Sequence, residues 1–76
     1  MARQVVYVAA NILPSGSSGS PSVHATKEGA QRRFSWYDER IAAGLAQWRW
    51  TPGHWWGLWD DDLGLVAEVR RTVVRS

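Results

Sequence analysis

Residues 4–13 (QVVYVAANIL) are apolar at both parities: Val5, Tyr7 and Ala9 fall on one side, and Val6, Val8, Ala10 and Ile12 on the other. That pattern predicts a strand covered on both faces. Residues 14–21 (PSGSSGSP) have no periodic face and read as a flexible Gly/Ser/Pro loop. Residues 22–25 add at most a very short strand. Thr26 then has the hydroxyl of a helix N-cap, with Lys27 and Glu28 opening the helix. From there Ala30, Phe34, Tyr37, Ile41 and Leu45 recur at helical spacing as one apolar stripe, while Gln31, Arg32, Ser35, Glu39 and Arg40 fall away from it. Gly44 suits the position just past the helix end. The period also carries on to Trp48, so the end lies at Gly44 or Trp48. Thr51, Pro52 and Gly53 are a firm stop. Residues 54–59 (HWWGLW) read as a strand, 60–64 (DDDLG) as a turn, and 65–74 as its antiparallel partner. Arg71 falls on the apolar parity of that last strand, which predicts a bulge or a strand leaving the core there. The expected fold class is α+β: a three- or four-stranded, mostly antiparallel sheet with one helix packed on one face, in the order β-(β)-α-β-β.

One helix covers one face, yet residues 54–59 are aromatic on both. Trp55, Gly57 and Trp59 share one side, and His54, Trp56 and Leu58 the other. Large aromatics therefore remain on the open face, and Trp50 lies just upstream. The expectation is a partner-binding surface built from Trp55 and Trp59 or from Trp56 and Trp50, whichever side is left open, aided by Trp36 with Arg32 and Arg40, since large exposed apolar patches mark interaction sites. Trp36 lies off the helical stripe, between Arg32 and Arg40 at i−4 and i+4. In a continuous helix this spacing stacks both guanidinium groups along the indole.

Composition narrows the function classes. The 76 residues allow one domain, and a chain of this size buries only about 60% of its unfolded surface. With no cysteine there is neither a disulfide staple nor a thiolate zinc site. His24 and His54 are the only histidines, too few for a metal centre without carboxylate help, and residues 60–64 do not match the spacing of a calcium loop. No nucleophile elbow or phosphate-binding glycine loop is present. The reading is a non-enzyme without cofactor or metal. Eight Arg and one Lys face seven acidic residues, a net charge of +2 that is too mild and too scattered to announce a nucleic-acid binder. No apolar run reaches membrane-spanning length. Asn11 breaks the apolar run that begins at Val5, and no small-residue cleavage site follows it, so a cytoplasmic protein is expected.

The segment Val6, Tyr7, Val8, a polar loop, then Val23, His24, Ala25, Thr26, Lys27, Glu28, Gly29 and Ala30 resembles the strand, cap and helix start of small accessory proteins of phages and prophages of high-GC bacteria. The resemblance covers about the first 45 residues and carries over no functional residue. It implies a class of small proteins that bind and block a host protein, defence systems included. The leading expectation is a protein-binding module of this kind, an inhibitor acting through a Trp/Arg-rich surface. Pairing as a homodimer, the commonest way to cover a sheet face, is part of this expectation. The alternatives are a nucleic-acid or nucleotide binder using Trp36, Arg32, Arg40 and the C-terminal arginines, and a structural component of a virion.

Overall fold

The computed structural model describes residues 3–13, 15, 19–51 and 55–75. Its frame is one sheet of five strands: β1 (Arg3–Asn11), β2 (Ser22–His24), β3 (Ala46–Thr51), β4 (Trp55–Asp60) and β5 (Gly64–Arg75). They are arranged β2-β1-β5-β4-β3, and every neighbouring pair is antiparallel. The α+β class and the antiparallel sheet agree with the expectation, whereas the strand count of three or four is corrected to five. The extra strand is β3. Its residues alternate Ala46, Trp48 and Trp50 against Gln47, Arg49 and Thr51, a period-2 pattern that overrides the helical period running on to Trp48.

The expected single helix is also corrected. The segment is α1 (Lys27–Arg32), a 3₁₀ turn (Ser35–Tyr37) and α2 (Asp38–Ala42). Ser, Trp and Tyr are mediocre helix formers, the aromatics because they lose side-chain freedom against the preceding turn. The chain therefore tightens there rather than continuing. Both ends of the segment behave as read. The Thr26 hydroxyl accepts from the Gly29 amide at 3.0 Å. Gly44 takes φ 78°. Its amide donates to the Ile41 carbonyl, and the Leu45 amide to the Arg40 carbonyl, a Schellman closure that satisfies the last turn.

The interrupted segment still lays its apolar stripe on one sheet face. Ala30 and Phe34 are buried with Ala9, Ala46, Leu58, Ala67 and Val69, and Tyr7, Tyr37, Ile41, Trp48, Trp56 and Val66 pack around them. Phe34, only 1% exposed, is the largest fully buried side chain. Leu45, the last residue of the stripe, is exposed. Arg33 ties the segment to the sheet by donating to the Ala9 carbonyl (2.7 Å), Ser22 Oγ (3.0 Å) and Asn11 Oδ1 (3.0 Å).

Between β4 and β5 the register shifts: Leu58 faces Ala67, but Trp59 faces Leu65. Val66 is the extra residue of this bulge. It turns toward the core, and Leu65 is sent to the opposite face, beside Gly57. No bulge occurs at Arg71, where the pairing with β1 runs on unbroken to Arg75. Among the described residues the ladder with β4 reaches Trp55 opposite Arg70. His54 and residues 14, 16–18, 52 and 53 of the expected strand, loop and stop lie outside the described residues.

Candidate functional site

The structure divides the seven candidate residues among separate regions. Trp55 and Trp59 lie on the sheet face opposite the helices, as the alternation required. They lean from both sides over Gly57, whose missing Cβ leaves room for them: a Cβ there would meet Leu65 Cδ1 at 2.8 Å and Trp55 Cζ3 and Trp59 Nε1 at 3.0 Å. Lying flat in this way they are only half-exposed, with the Arg49 guanidinium 5.8 Å from the Trp59 ring centre. Val6 and Ala10 beside them are buried. The open face is thus covered by its own side chains more fully than alternation alone suggests.

Trp50 and Trp56 sit together on the helix side, directly opposite each other on β3 and β4, ring centres 5.2 Å apart and edge to face. Lys27 Nζ is 4.4 Å from the Trp56 ring centre. Trp50 is 53% exposed.

The stack of Arg32 and Arg40 on Trp36 is not formed. It needs an unbroken helix, and the break after Arg32 turns the three side chains apart. Arg32 lines a shallow, mixed-charge depression with Glu28, Gln31, Asp38 and Trp48. Arg40 is held by Asp60, its Nε donating to Oδ2 at 2.7 Å and its second nitrogen to Oδ1 at 3.2 Å. Trp36 has Phe34 edge-on at 5.6 Å and Tyr37 at 6.4 Å, and is 61% exposed.

What Trp36 does line is a concave groove of about 450 Å³, closed by Asn11, Ile12, Leu13, Tyr37, Leu63, Leu65 and Val66. The groove lies where the ends of β1 and β4 and the start of β5 meet the 3₁₀ turn. Each wall has a local cause. The bulge delivers Val66, and the tightened turn swings Trp36 out. The β4–β5 turn presents Leu63, 73% exposed, and the exit of β1 presents Leu13. Of these, only Trp36 was singled out from the sequence. Leu13 and Leu63 carry no sequence signal, because each lies beyond the end of a strand.

The turn beside the groove is stiffened electrostatically. Asp60 is buried at the end of β4, and its Oδ1 accepts from the amides of Asp62 (2.9 Å) and Leu63 (3.2 Å). The hydrogen bond from Arg40, followed by that from the Asp62 amide, holds this carboxyl below the ordinary 3.8 of an aspartate. Asp61 and Asp62 remain exposed, so the rim beside Leu63 is acidic.

Chemically the groove offers contact area and little else. Among its described lining residues the polar side-chain groups are the Asn11 amide, the Tyr37 hydroxyl and the Trp36 indole N–H. Elsewhere, Ser22 Oγ lies 2.7 Å from His24 Nε2 and accepts from Arg33. Among the described residues no carboxylate hydrogen-bonds to that histidine, and no three His, Asp or Glu side chains gather as a metal site. Nor is any helix among them long and apolar enough to cross a membrane. No family model matches the chain, and neither a curated protein nor a solved structure matches it.

Proposed function

We propose that this protein is a small non-enzymatic binding module whose docking surface is the Trp36 groove. The observation that carries the reading is a concavity lined by seven apolar or aromatic residues, with Trp36 and Leu63 largely exposed at its rim. A tryptophan left 61% open contributes little to its own fold, whereas tryptophans in well-packed pockets dominate interface energetics. The described walls of the groove are mostly apolar, which suits the burial of an apolar anchor. The acidic rim at Asp61 and Asp62 favours an apolar anchor flanked by a basic residue. The resemblance to small phage proteins supports a host protein of the cytoplasm as partner, blocked by occupation of its surface.

The test is selection of binders from a displayed library of random peptides. Enriched sequences should share an aromatic or aliphatic anchor next to Lys or Arg. Their affinity should fall about 30-fold, or about 2 kcal/mol, in Trp36→Ala. Peptides that bind Trp36→Ala and the wild type alike would overturn the reading.

A further inference from the structure

Beyond Arg70 the pairing of β5 becomes one-sided. The ladder with β4 begins at Trp55 opposite Arg70, whereas β1 continues along β5 as far as Arg3 opposite Arg75. Among the described residues, then, positions 71–75 have a neighbour on one edge and none on the other. A strand edge in that state presents a row of unpaired N–H and C=O groups. Arg70, Arg71, Thr72, Val73 and Val74 are all exposed. By alternation Arg71 and Val73 share the helix-side face, and Arg70, Thr72 and Val74 share the other. Residues 3–9 and 69–75 of this two-stranded arm include Arg3, Arg70, Arg71 and Arg75 but no acidic residue. The nearest carboxylate is Glu68, 3.6 Å from Arg70.

From this edge and its charge we infer that residues 71–75 accept an extended acidic segment of a partner protein as a sixth, antiparallel strand. Main-chain hydrogen bonds supply the attachment, and a carboxylate opposite the exposed Arg71 supplies the selection. Apolar residues of the segment meet Val73 and Val74. A second copy is a worse occupant, because positions 71–75 of the chain hold no acidic residue to set opposite Arg71. A nucleic acid would satisfy the arginines but leave the row of carbonyls unpaired and set the valines against phosphate. The site lies at the opposite end of β1 and β5 from the groove and stands whether or not the groove binds.

The probe is a synthetic peptide centred on Glu-Val-Val-Thr-Glu, which reads antiparallel against positions 75 to 71. Its controls are the Lys-Val-Val-Thr-Lys analogue, a version N-methylated at alternate residues, and an oligothymidine. Affinity and amide hydrogen exchange are measured on the full chain. The Glu peptide should slow exchange at residues 71–75 by at least about tenfold, with the N-methylated version doing so far less. Arg71→Glu should weaken the Glu peptide roughly tenfold and turn the preference toward the Lys analogue. Four results would overturn the proposal: no protection at residues 71–75; equal binding of the N-methylated or Lys peptide; protection of the same amides in the free protein, rising with its concentration, which would assign the edge to a second copy; or oligothymidine that displaces the peptide and binds more tightly, which would assign it to nucleic acid.

Discussion

The long β1–β5 pair ends in two different ways. At one end, Asn11 and the start of β5 are enclosed by the 3₁₀ turn, the bulge at Val66 and the Arg40–Asp60 pair, and the result is a concave, apolar, acid-rimmed groove. At the other end the β1–β5 pairing continues to Arg3 opposite Arg75, beyond the described ladder with β4, and residues 70–74 are exposed and rich in arginine. One ladder thus carries a preformed recess and a free template. A recess binds by burying an apolar anchor with little reorganisation. A free edge binds by backbone pairing and must order its ligand as it does so. The recess follows from what lies beside the ladder, whereas the basic character of the other end is written in the ladder itself, at Arg3, Arg70, Arg71 and Arg75.

The contrast can be broken most severely at Phe34. This side chain anchors the helical segment that walls the groove, and Phe34→Ala should cost about 3–5 kcal/mol in denaturant unfolding. That is a large share of the roughly 4–11 kcal/mol expected for a domain of this size. The matching truncation on the arm, Val73→Ala, should cost under about 1 kcal/mol, because the residue is exposed. Equal losses would mean that the arm is packed as firmly as the body.

Trp36→Ala sharpens the contrast in the other direction. It should weaken a groove ligand by about 2 kcal/mol while changing stability by no more than about 0.5–1 kcal/mol, as titration calorimetry and unfolding on one sample would show.

A subtler effect concerns pH. The Asp60 carboxyl is depressed when folded, so the unfolded chain binds the proton more readily. Its contribution is therefore fully present above the ordinary aspartate value of 3.8 and is lost as pH falls through that value toward the lower folded one. Exchange of the Asp62 and Leu63 amides, both bonded to Asp60, should accelerate in that range before the β1–β5 ladder opens. In Asp60→Asn the acid step should shrink. An unchanged step would assign it to other carboxylates. Smallest of all, amides on the outer edge of residues 71–75 should exchange faster than those of residues 65–70, where β4 closes the edge.

Much of this frame is legible in the chain. Thr26 and Gly44 bound the helical segment as capping chemistry dictates, and Ala30 and Phe34 are buried as the stripe requires. Alternation rightly places Trp55 and Trp59 opposite Trp56 and Leu58. β3 was also written there, in the strict alternation from Ala46 to Thr51, but a helical period reaching Trp48 competes with it over the same residues. Other features depend on distance along the chain. Arg40 meets Asp60 across 20 positions, a pairing no local pattern encodes. The bulge that flips Leu65 is a property of two strands in register, not of either alone. The groove combines strand exits, a hairpin turn and a broken helix. Its one legible residue, Trp36, was read with the wrong companions because the helix was taken as continuous.

The six tryptophans offer the most direct test of the groove as docking surface. Each indole Nε1–H gives its own signal in a ¹H–¹⁵N correlation spectrum, so a selected groove ligand can be titrated against all of them at once. Binding at the groove should move the Trp36 indole and the amides of Leu13, Leu63 and Val66, and leave Trp50, Trp55 and Trp59 in place. A Trp36 signal that stays fixed while Trp50 and Trp56, or Trp55 and Trp59, move would contradict it and transfer the docking surface to one of the sheet faces.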